Sequence, residues 1–497
     1  MALTLADPAV SEPALARHLS QFASQTLLVL GDVMLDRYVL GAAERMSPEA
    51  PIPVLHVRGR RQTLGGAGNV AQNAAALGGR AILVSVVGND APAAEITELL
   101  ARAPGIDNAL VAAPARPTTV KTRFMSGGHQ LLRVDEEVVD AIDPALEEAL
   151  LAAYARALSA ASVVVISDYA KGVLTDQVLT RAIAMARDAG RPVIADPKRV
   201  RFEAYHRVNV LTPNASEVAR TARRPADDDA AAAAAGQVAL EQAGADAVLV
   251  KRSEKGLTLV RRDAPALHIP TRAQEVADVS GAGDTLVTAF ALALGCGAPM
   301  HEAAALANVA AGIVVGKPGT ATVSNAELQE ALHRHELLAI DDKVMERETA
   351  VERIAAWREK GLRVGFTNGC FDLIHPGHVR LLARARAGCD RLVVGLNSDA
   401  SVHRLKGTGR PVQSEAARAT VMASMASADL VVIFDEDTPQ LLIEAVRPDV
   451  LFKGADYRMD EVVGADFVHG YGGKVTLIPL EEGFSTTNTI RRINARG

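Results

Sequence analysis

Short apolar runs recur through the first 250 residues of the chain and end in the same manner. Thr26-Leu-Leu-Val-Leu-Gly-Asp32, Ala161–Asp168, Pro192–Asp196, Val208–Pro213 and Ala247–Lys251 are dominated by Val, Leu, Ile and Ala and lack a strict polar alternation. A strand that is apolar on both faces must be covered on both faces, and the Ala-rich helical stretches between these runs supply the cover. The fold class this predicts is α/β, with a mostly parallel sheet between layers of helices. Several of the runs end in Asp or Asn. That places polar groups at the carboxyl edge of the sheet, where open α/β folds bind ligands.

At 497 residues the chain is too long for one such core, because single cores stop growing at about 250–300 residues. After the apolar Ala303–Val315 helix and a Lys317-Pro-Gly319 stop, the sequence turns polar through Asn325–Glu348. We place the connection at 326–350, leaving a first domain of 1–325 and a second of 351–497. The second domain repeats the α/β pattern, with strands at Arg363–Thr367 and Arg391–Leu396 and the helix Pro376–Ala387 between them. Further strands are expected at Leu430–Phe434, Val450–Lys453 and Val475–Pro479. The low-complexity stretch after Asp227 reads as a helix beginning near Asp228, since Ala favours helix and acidic residues favour its start.

Charge and composition exclude several classes of function. A net charge of −6 leaves no basic field for nucleic acid. The best membrane candidate, the uncharged stretch Thr285–Met300, is too short to span a bilayer and is broken by Gly295, Gly297 and Pro299, so it reads as a buried core helix. Asp7 and Glu12 stand where a secretory signal would be basic and then apolar. The three cysteines, Cys296, Cys370 and Cys389, form no CxxC pair. The expectation is a cytoplasmic protein with small-molecule substrates, no nucleic-acid partner and no membrane partner.

Two phosphate-handling signatures lie far apart. The first is Asp278-Val-Ser-Gly-Ala-Gly-Asp284-Thr285, followed by an apolar helical segment. Gly281 and Gly283 let backbone N–H groups at the helix opening approach an anion, here a phosphoryl group in transit. Asp284 then sits where it can accept the proton of an attacking hydroxyl. Upstream, Gly65-Gly66-Ala-Gly68-Asn69 has the small residues and amides that let a sugar pack against backbone.

Together these segments resemble the two signatures of the ribokinase (PfkB) family of carbohydrate kinases, over roughly residues 25–320. That resemblance implies a ribokinase-like fold and ATP as phosphate donor, with Mg2+ accompanying it. It also implies an ATP site at Asn214, Ala215, Ser216 and Glu217, the last acting indirectly on magnesium, with Lys198 offering a cation to the nucleotide phosphates. Family members hold sugar hydroxyls with an acidic residue after the first strand, a role that falls to Asp32, while Asp36 reads as a turn cap. Gly65, Gly66 and Asn69 complete the implied sugar site. Ribokinase-like domains commonly pair, which implies a homodimer.

The second signature is Thr367-Asn-Gly-Cys-Phe-Asp-Leu-Ile-His375-Pro-Gly-His378, running from a strand through a turn into a helix. Pro376 lacks only an N–H that would go unused at the helix start, and both imidazoles lie near its positive end, where they can donate to an α-phosphate. No Cys or further His stands at a spacing that would complete a zinc site. The HxGH pattern resembles the cytidylyltransferase-like nucleotidyltransferases, with a Rossmann-like fold, over roughly 360–497. The resemblance implies phosphate contacts from Thr367, Asn368, Gly369 and Phe371, and from Ser485, Thr486 and Thr487 in Phe484–Ile490. Lys406 and Arg410, and also Lys453, are candidate phosphate clamps. Neither signature calls for zinc, flavin or nicotinamide.

A ribokinase-like unit fused in this order to an HxGH transferase resembles the bifunctional heptose-phosphate kinase/adenylyltransferases of Gram-negative bacteria. The resemblance implies phosphorylation of D-glycero-β-D-manno-heptose 7-phosphate at C1 and adenylyl transfer to the heptose 1-phosphate. A fusion serving a different nucleotide sugar or a CDP-alcohol would keep both motifs and change only the acceptor pockets.

Overall fold

Residues 12–271, 278–317, 319–341, 343–407, 409–455 and 457–479 are described by a computed structural model. The fold divides into two compact units, 3–334 and 335–497. The division falls inside the segment read as the connection, which carries the helix Asn325–Asp341 and the two-residue strand Val344–Met345.

The first unit is built on a nine-stranded sheet. From one edge its strands are Ala264–Ile269, Leu257–Arg261, Ala247–Lys251, Val210–Leu211, Val193–Asp196, Val163–Ser167, Thr26–Gly31, Arg80–Val84 and Ile106–Asn108. All pairs are parallel except the two at the first edge. Each apolar run feeds two cores, as the sequence pattern requires. Leu27, Val29, Val163 and Val165 face one helical layer, and Leu28, Leu30, Val164 and Ile166 face the other. The uncharged segment is the buried helix Ala282–Gly295, whose Leu286–Ala293 stretch is almost wholly enclosed. The Ala-rich stretch is the helix Asp229–Ala243, capped by Asp228.

A second sheet in this unit has no counterpart in the sequence reading. Its four strands run Pro53–Gly66, Val33–Met46, Val120–Ser126 and His129–Glu136. Cross-strand register puts Asp36 beside Lys121 and Asp135, and Tyr38 beside Arg61, Arg123 and Arg133, so these side chains share one face. Asp36 is therefore a strand residue, paired with Arg123 at 2.7 Å, and not the turn cap read from sequence.

The second unit has a six-stranded, wholly parallel sheet in the order Val344–Met345, Leu430–Phe434, Arg391–Asn397, Val364–Gly369, Val450–Gly454 and Lys474–Ile478. Among the described residues no helix is long and apolar enough to cross a membrane.

Candidate active sites

In the first sheet the chain runs from Thr26–Gly31 out to Arg80–Val84 on one side and later resumes at Val163–Ser167 on the other. This reversal opens a crevice at the carboxyl ends of the strands. Backbones approach closely here, and a Cβ on Gly31 would fall 2.1 Å from the Ser167 carbonyl oxygen. Asp32, the next residue, is buried. Its Oδ2 accepts from the N–H groups of Tyr169 and Lys171 at 2.8 and 3.2 Å, and its Oδ1 from Val173 at 3.3 Å. Burial, reinforced by the charge of Asp168, pushes the Asp32 pKa up to about 6 against those three donors.

Gly281, at φ +82°, opens the helix that carries Asp284 in its first turn. The Asp284 carboxylate is buried and held from two sides, by Asn69 Nδ2 at 2.7 Å and by the Tyr169 hydroxyl at 2.8 Å. Burial raises its pKa to about 6. The charge of Asp196 adds to the rise, while the Asn69 and Tyr169 hydrogen bonds and the charge of Lys251 oppose it. Asn69 is fixed in turn by Asn73, whose amide donates to the Asn69 carbonyl at 2.9 Å and whose Oδ1 accepts from Thr285 at 2.7 Å. Two of the predicted sugar-site residues are close-packed against the chain. A Cβ on Gly66 would meet the Asp32 carbonyl at 2.3 Å, and one on Gly65 would meet Asp36 Oδ2 at 2.5 Å.

At the same sheet edge Asn214 caps the helix Ala215–Ala222 in a closed capping box with Glu217. Glu217 Oε2 accepts from the Asn214 N–H, and its Oε1 is paired with Lys198 at 2.8 Å. Ala215 and Ser216 are the first turn of that helix. Lys251 ends its strand paired with Asp196 at 2.5 Å, and its Nζ lies 3.6 Å from where a Cβ on Gly283 would stand.

The face of the four-stranded sheet that bears Tyr38 is tied to this crevice. The Tyr38 hydroxyl meets Thr320 Oγ1 at 2.8 Å, and the Thr320 methyl is 3.2 Å from the Cβ position of Gly281. The guanidinium groups of Arg61 and Arg123 lie over the Tyr38 ring, 5.5 and 5.3 Å from its centroid. Lys121 and Lys171 share Glu137. Counting Arg61, Lys121, Arg123, Arg133 and Lys171 against Asp36, Asp135 and Glu137, five cations face three anions, a surplus of two positive charges.

In the second unit the chain order reverses between Val364–Gly369 and Val450–Gly454. Lys453 bridges this point, donating to Asn368 Oδ1 at 2.8 Å. Phe371 turns the chain with φ +44° and sets its ring edge-on to His378, centroids 5.1 Å apart. His375 is the N-cap of the helix Pro376–Ala387 and His378 its third residue. Their rings stack at 3.8 Å with an 18° tilt. Burial lowers the pKa of both, that of His378 to about 4, where the neighbouring His375 contributes as well. Both shifts are downward and favour the neutral imidazole.

Thr367 is fully buried in its strand. Arg410 is committed to the buried Asp372, Nε to Oδ2 at 2.5 Å, which leaves Lys406 as the exposed cation of that loop. Ser485, Thr486 and Thr487 lie outside the described residues. Sequence reasoning missed Tyr169, Lys251 and Arg418. The first two follow or end apolar strands, the same signal that singled out Asp32. Arg418 has no such signal. It is wholly buried inside the helix Glu415–Ala423, where it donates to the carbonyls of Cys370 and Asn397 at 2.6 and 2.8 Å and to Asp399 at 2.7 Å.

Known proteins resemble the chain along both units. Residues 24–327 match the pfkB family of carbohydrate kinases, and residues 366–492 match the cytidylyltransferase-like family. The bifunctional protein HldE of Rhodospirillum rubrum is 52% identical over 97% of each chain. HldE of Caulobacter vibrioides is 52% identical over 97% of this chain and the whole of its own. Among solved structures, phosphofructokinase-2 of Escherichia coli superposes with a TM-score of 0.53 at 22% identity, over 63% of this chain and 99% of its own. A putative ribokinase from Agrobacterium tumefaciens gives 0.52 at 21%, over 62% and 98%. At these identities the two structures establish the ribokinase-like fold of the first unit.

Proposed function

The chain belongs to the pfkB family of carbohydrate kinases and, along nearly its whole length, to the bifunctional HldE proteins, and on that premise we propose how its two sites carry out the two ATP-dependent steps of ADP-heptose synthesis. The first unit phosphorylates D-glycero-β-D-manno-heptose 7-phosphate at C1. The second joins AMP from ATP to the heptose 1-phosphate, releasing pyrophosphate and ADP-heptose for the lipopolysaccharide core. Loss of the 7-phosphate must intervene, so another enzyme acts between the two steps.

One observation carries the assignment of sites: a buried carboxylate at one helix opening and a stacked pair of imidazoles at another, in separate units of one chain. In the kinase site Asp284 accepts the C1 hydroxyl proton as the oxygen forms its bond to the γ-phosphorus and ADP departs. The N–H groups after Gly281 receive the charge that develops. In the transferase site no protein base is needed. The sugar 1-phosphate, with a second pKa of about 6, is already largely dianionic, and His375 and His378 donate to the α-phosphate as pyrophosphate leaves. Incubating the protein with ATP and candidate sugar phosphates and weighing the products tests the reading. Failure to form the 1,7-bisphosphate and ADP-heptose overturns it.

Magnesium accompanying ATP would supply neutralisation of the phosphate charge. Asp196, at the end of its strand, is the carboxylate that would hold such an ion, which is bound through one or two carboxylates plus phosphates, while Glu217, in the first turn of its helix with both oxygens engaged, would act on it only indirectly. Among the described residues there is no group of three or more His, Cys, Asp and Glu side chains that would cage a metal unaided.

The cationic face of the four-stranded sheet supports a substrate that already bears a phosphate dianion, and we assign the 7-phosphate to it. Arg123→Met is expected to raise the KM for heptose 7-phosphate roughly 10–100-fold, the worth of a charge-assisted hydrogen bond, with little change for unphosphorylated heptose. Equal effects on both sugars would refute the assignment.

The same sheet exposes Leu40, Met46, Leu131, Leu132 and Val134, which supports a homodimer formed through it. Sedimentation should show a dimer, and the pair Leu132→Glu and Val134→Glu should shift it to monomer. A wild-type monomer at micromolar concentration contradicts this. Consumption of cytosolic ATP supports a cytoplasmic location.

A further inference from the structure

Lys251 stands at the end of the strand Ala247–Lys251, on the carboxyl edge of the sheet, where its backbone pairs with Asn214 in an isolated parallel bridge. Its side chain is only 15% exposed, and its ammonium donates to Asp196 Oδ1, which also accepts from Thr212 at 2.8 Å. Among the described residues Asp196 is its only side-chain partner. An ammonium has three N–H donors, so two remain available. Gly283 is a neighbour of the ammonium, with Nζ 3.6 Å from where its Cβ would stand, an ordinary contact distance. The cation therefore borders the turn Gly281–Asp284, and its charge is felt by Asp284.

Placing a largely buried ion pair at a strand end costs desolvation that a Val or Thr would avoid. We propose that Lys251 is a catalytic residue of the kinase: held by Asp196 in the resting enzyme, its ammonium contacts the phosphoryl group in transit between ATP and the sugar hydroxyl. The inference rests on the kinase reading above. In that transfer the bond from the sugar oxygen to phosphorus forms, the bond from phosphorus to the β,γ-bridging oxygen breaks, and the hydroxyl proton passes to Asp284. Lys251 keeps its proton throughout. Charge on the transferred group is spread over three equatorial oxygens, and a fixed cation beside them stabilises that state more than the bound triphosphate.

The test uses full-length Lys251→Met, with adenylyl transfer by the same molecules as the control for folding. Kinase kcat should fall roughly 10²–10³-fold, as for loss of one transition-state donor, while the KM for ATP stays within about threefold. Affinity for MgADP with aluminium fluoride, a mimic of the phosphoryl group in flight, should fall by a comparable factor. A residue that only balances the charge of Asp196 would weaken ATP and the mimic equally, or neither, and that result overturns the proposal, as does a kcat within threefold of wild type. Lys251→Gln keeps a donor toward Asp196 and is read by the same thresholds if the Met variant also loses adenylyl transfer. Wild-type enzyme that yields no 1,7-bisphosphate defeats the kinase reading. Product from wild type with an undiminished variant defeats the role of Lys251 alone.

Discussion

Asp284→Asn should abolish nearly all kinase turnover, by a factor of roughly 10²–10⁴, the worth of a positioned general base, and should leave adenylyl transfer intact. The amide has the shape of the carboxylate and can still accept from Asn69, so geometry is retained and only proton acceptance is lost. In the wild type the pKa of this carboxyl is raised to about 6. The ionised form is the active one, so kinase turnover should fall about tenfold per pH unit below that value and level off above it. The same shift carries a stability cost. A carboxyl whose native pKa lies above its unfolded pKa releases its proton more readily when unfolded, so its ionisation favours the unfolded chain. The cost is absent below about pH 4 and complete above about pH 6, where it reaches roughly 3 kcal/mol. The Asn variant escapes it and should unfold at the same or a higher temperature at pH 8 by calorimetry, while coupled assays show no ADP release. Loss of both activities from this one change would contradict independent sites.

His378→Ala should produce the converse, a loss of roughly 10²–10³ in adenylyl transfer with kinase activity unchanged. His378 is half-buried, stacked on the His375 ring and edge-on to Phe371, so the Ala variant loses both the donor and the packing that orients His375. His378→Asn restores a donor and should recover part of the rate. Because burial lowers the His378 pKa to about 4, its imidazole does not change charge between pH 6 and 8. The adenylyl-transfer profile should show no limb from His378 in that interval. A limb near pH 6.5 that vanishes in His378→Ala would mean that the ring acts as a cation.

Both sites were partly legible in the sequence, for one reason: helix openings and strand ends are local. The run Gly281–Asp284 and the run His375–His378 carry their own backbone requirements, and the structure gives them the left-handed Gly281 and the Pro376 helix start that those residues favour. Asn214 and Glu217 show the limit of local reading. Their spacing is that of a capping box as well as of a phosphate motif, and the structure engages both Glu217 oxygens, one by the cap and one by Lys198. The four-stranded sheet was not legible because its strands lack an apolar signature. Pro53–Gly66 carries Arg58, Arg60, Arg61 and Gln62 in a largely exposed stretch, and its one partner strand, Val33–Met46, is held in turn by Val120–Ser126, 85 positions further along the chain.

From the order of residues alone came two parallel sheets, the polar edge of each, and the two turns at which phosphate can be held, because hydrophobic period and turn chemistry act within a few residues. Only the folded chain decided what each charge does. It brought Asn69 to Asp284 across 215 positions, gave Lys251 to Asp196 across 55, and fastened Arg410 to Asp372 instead of leaving it free. The energy of a charge depends on which groups and how much water surround it, and those neighbours are assembled by tertiary packing.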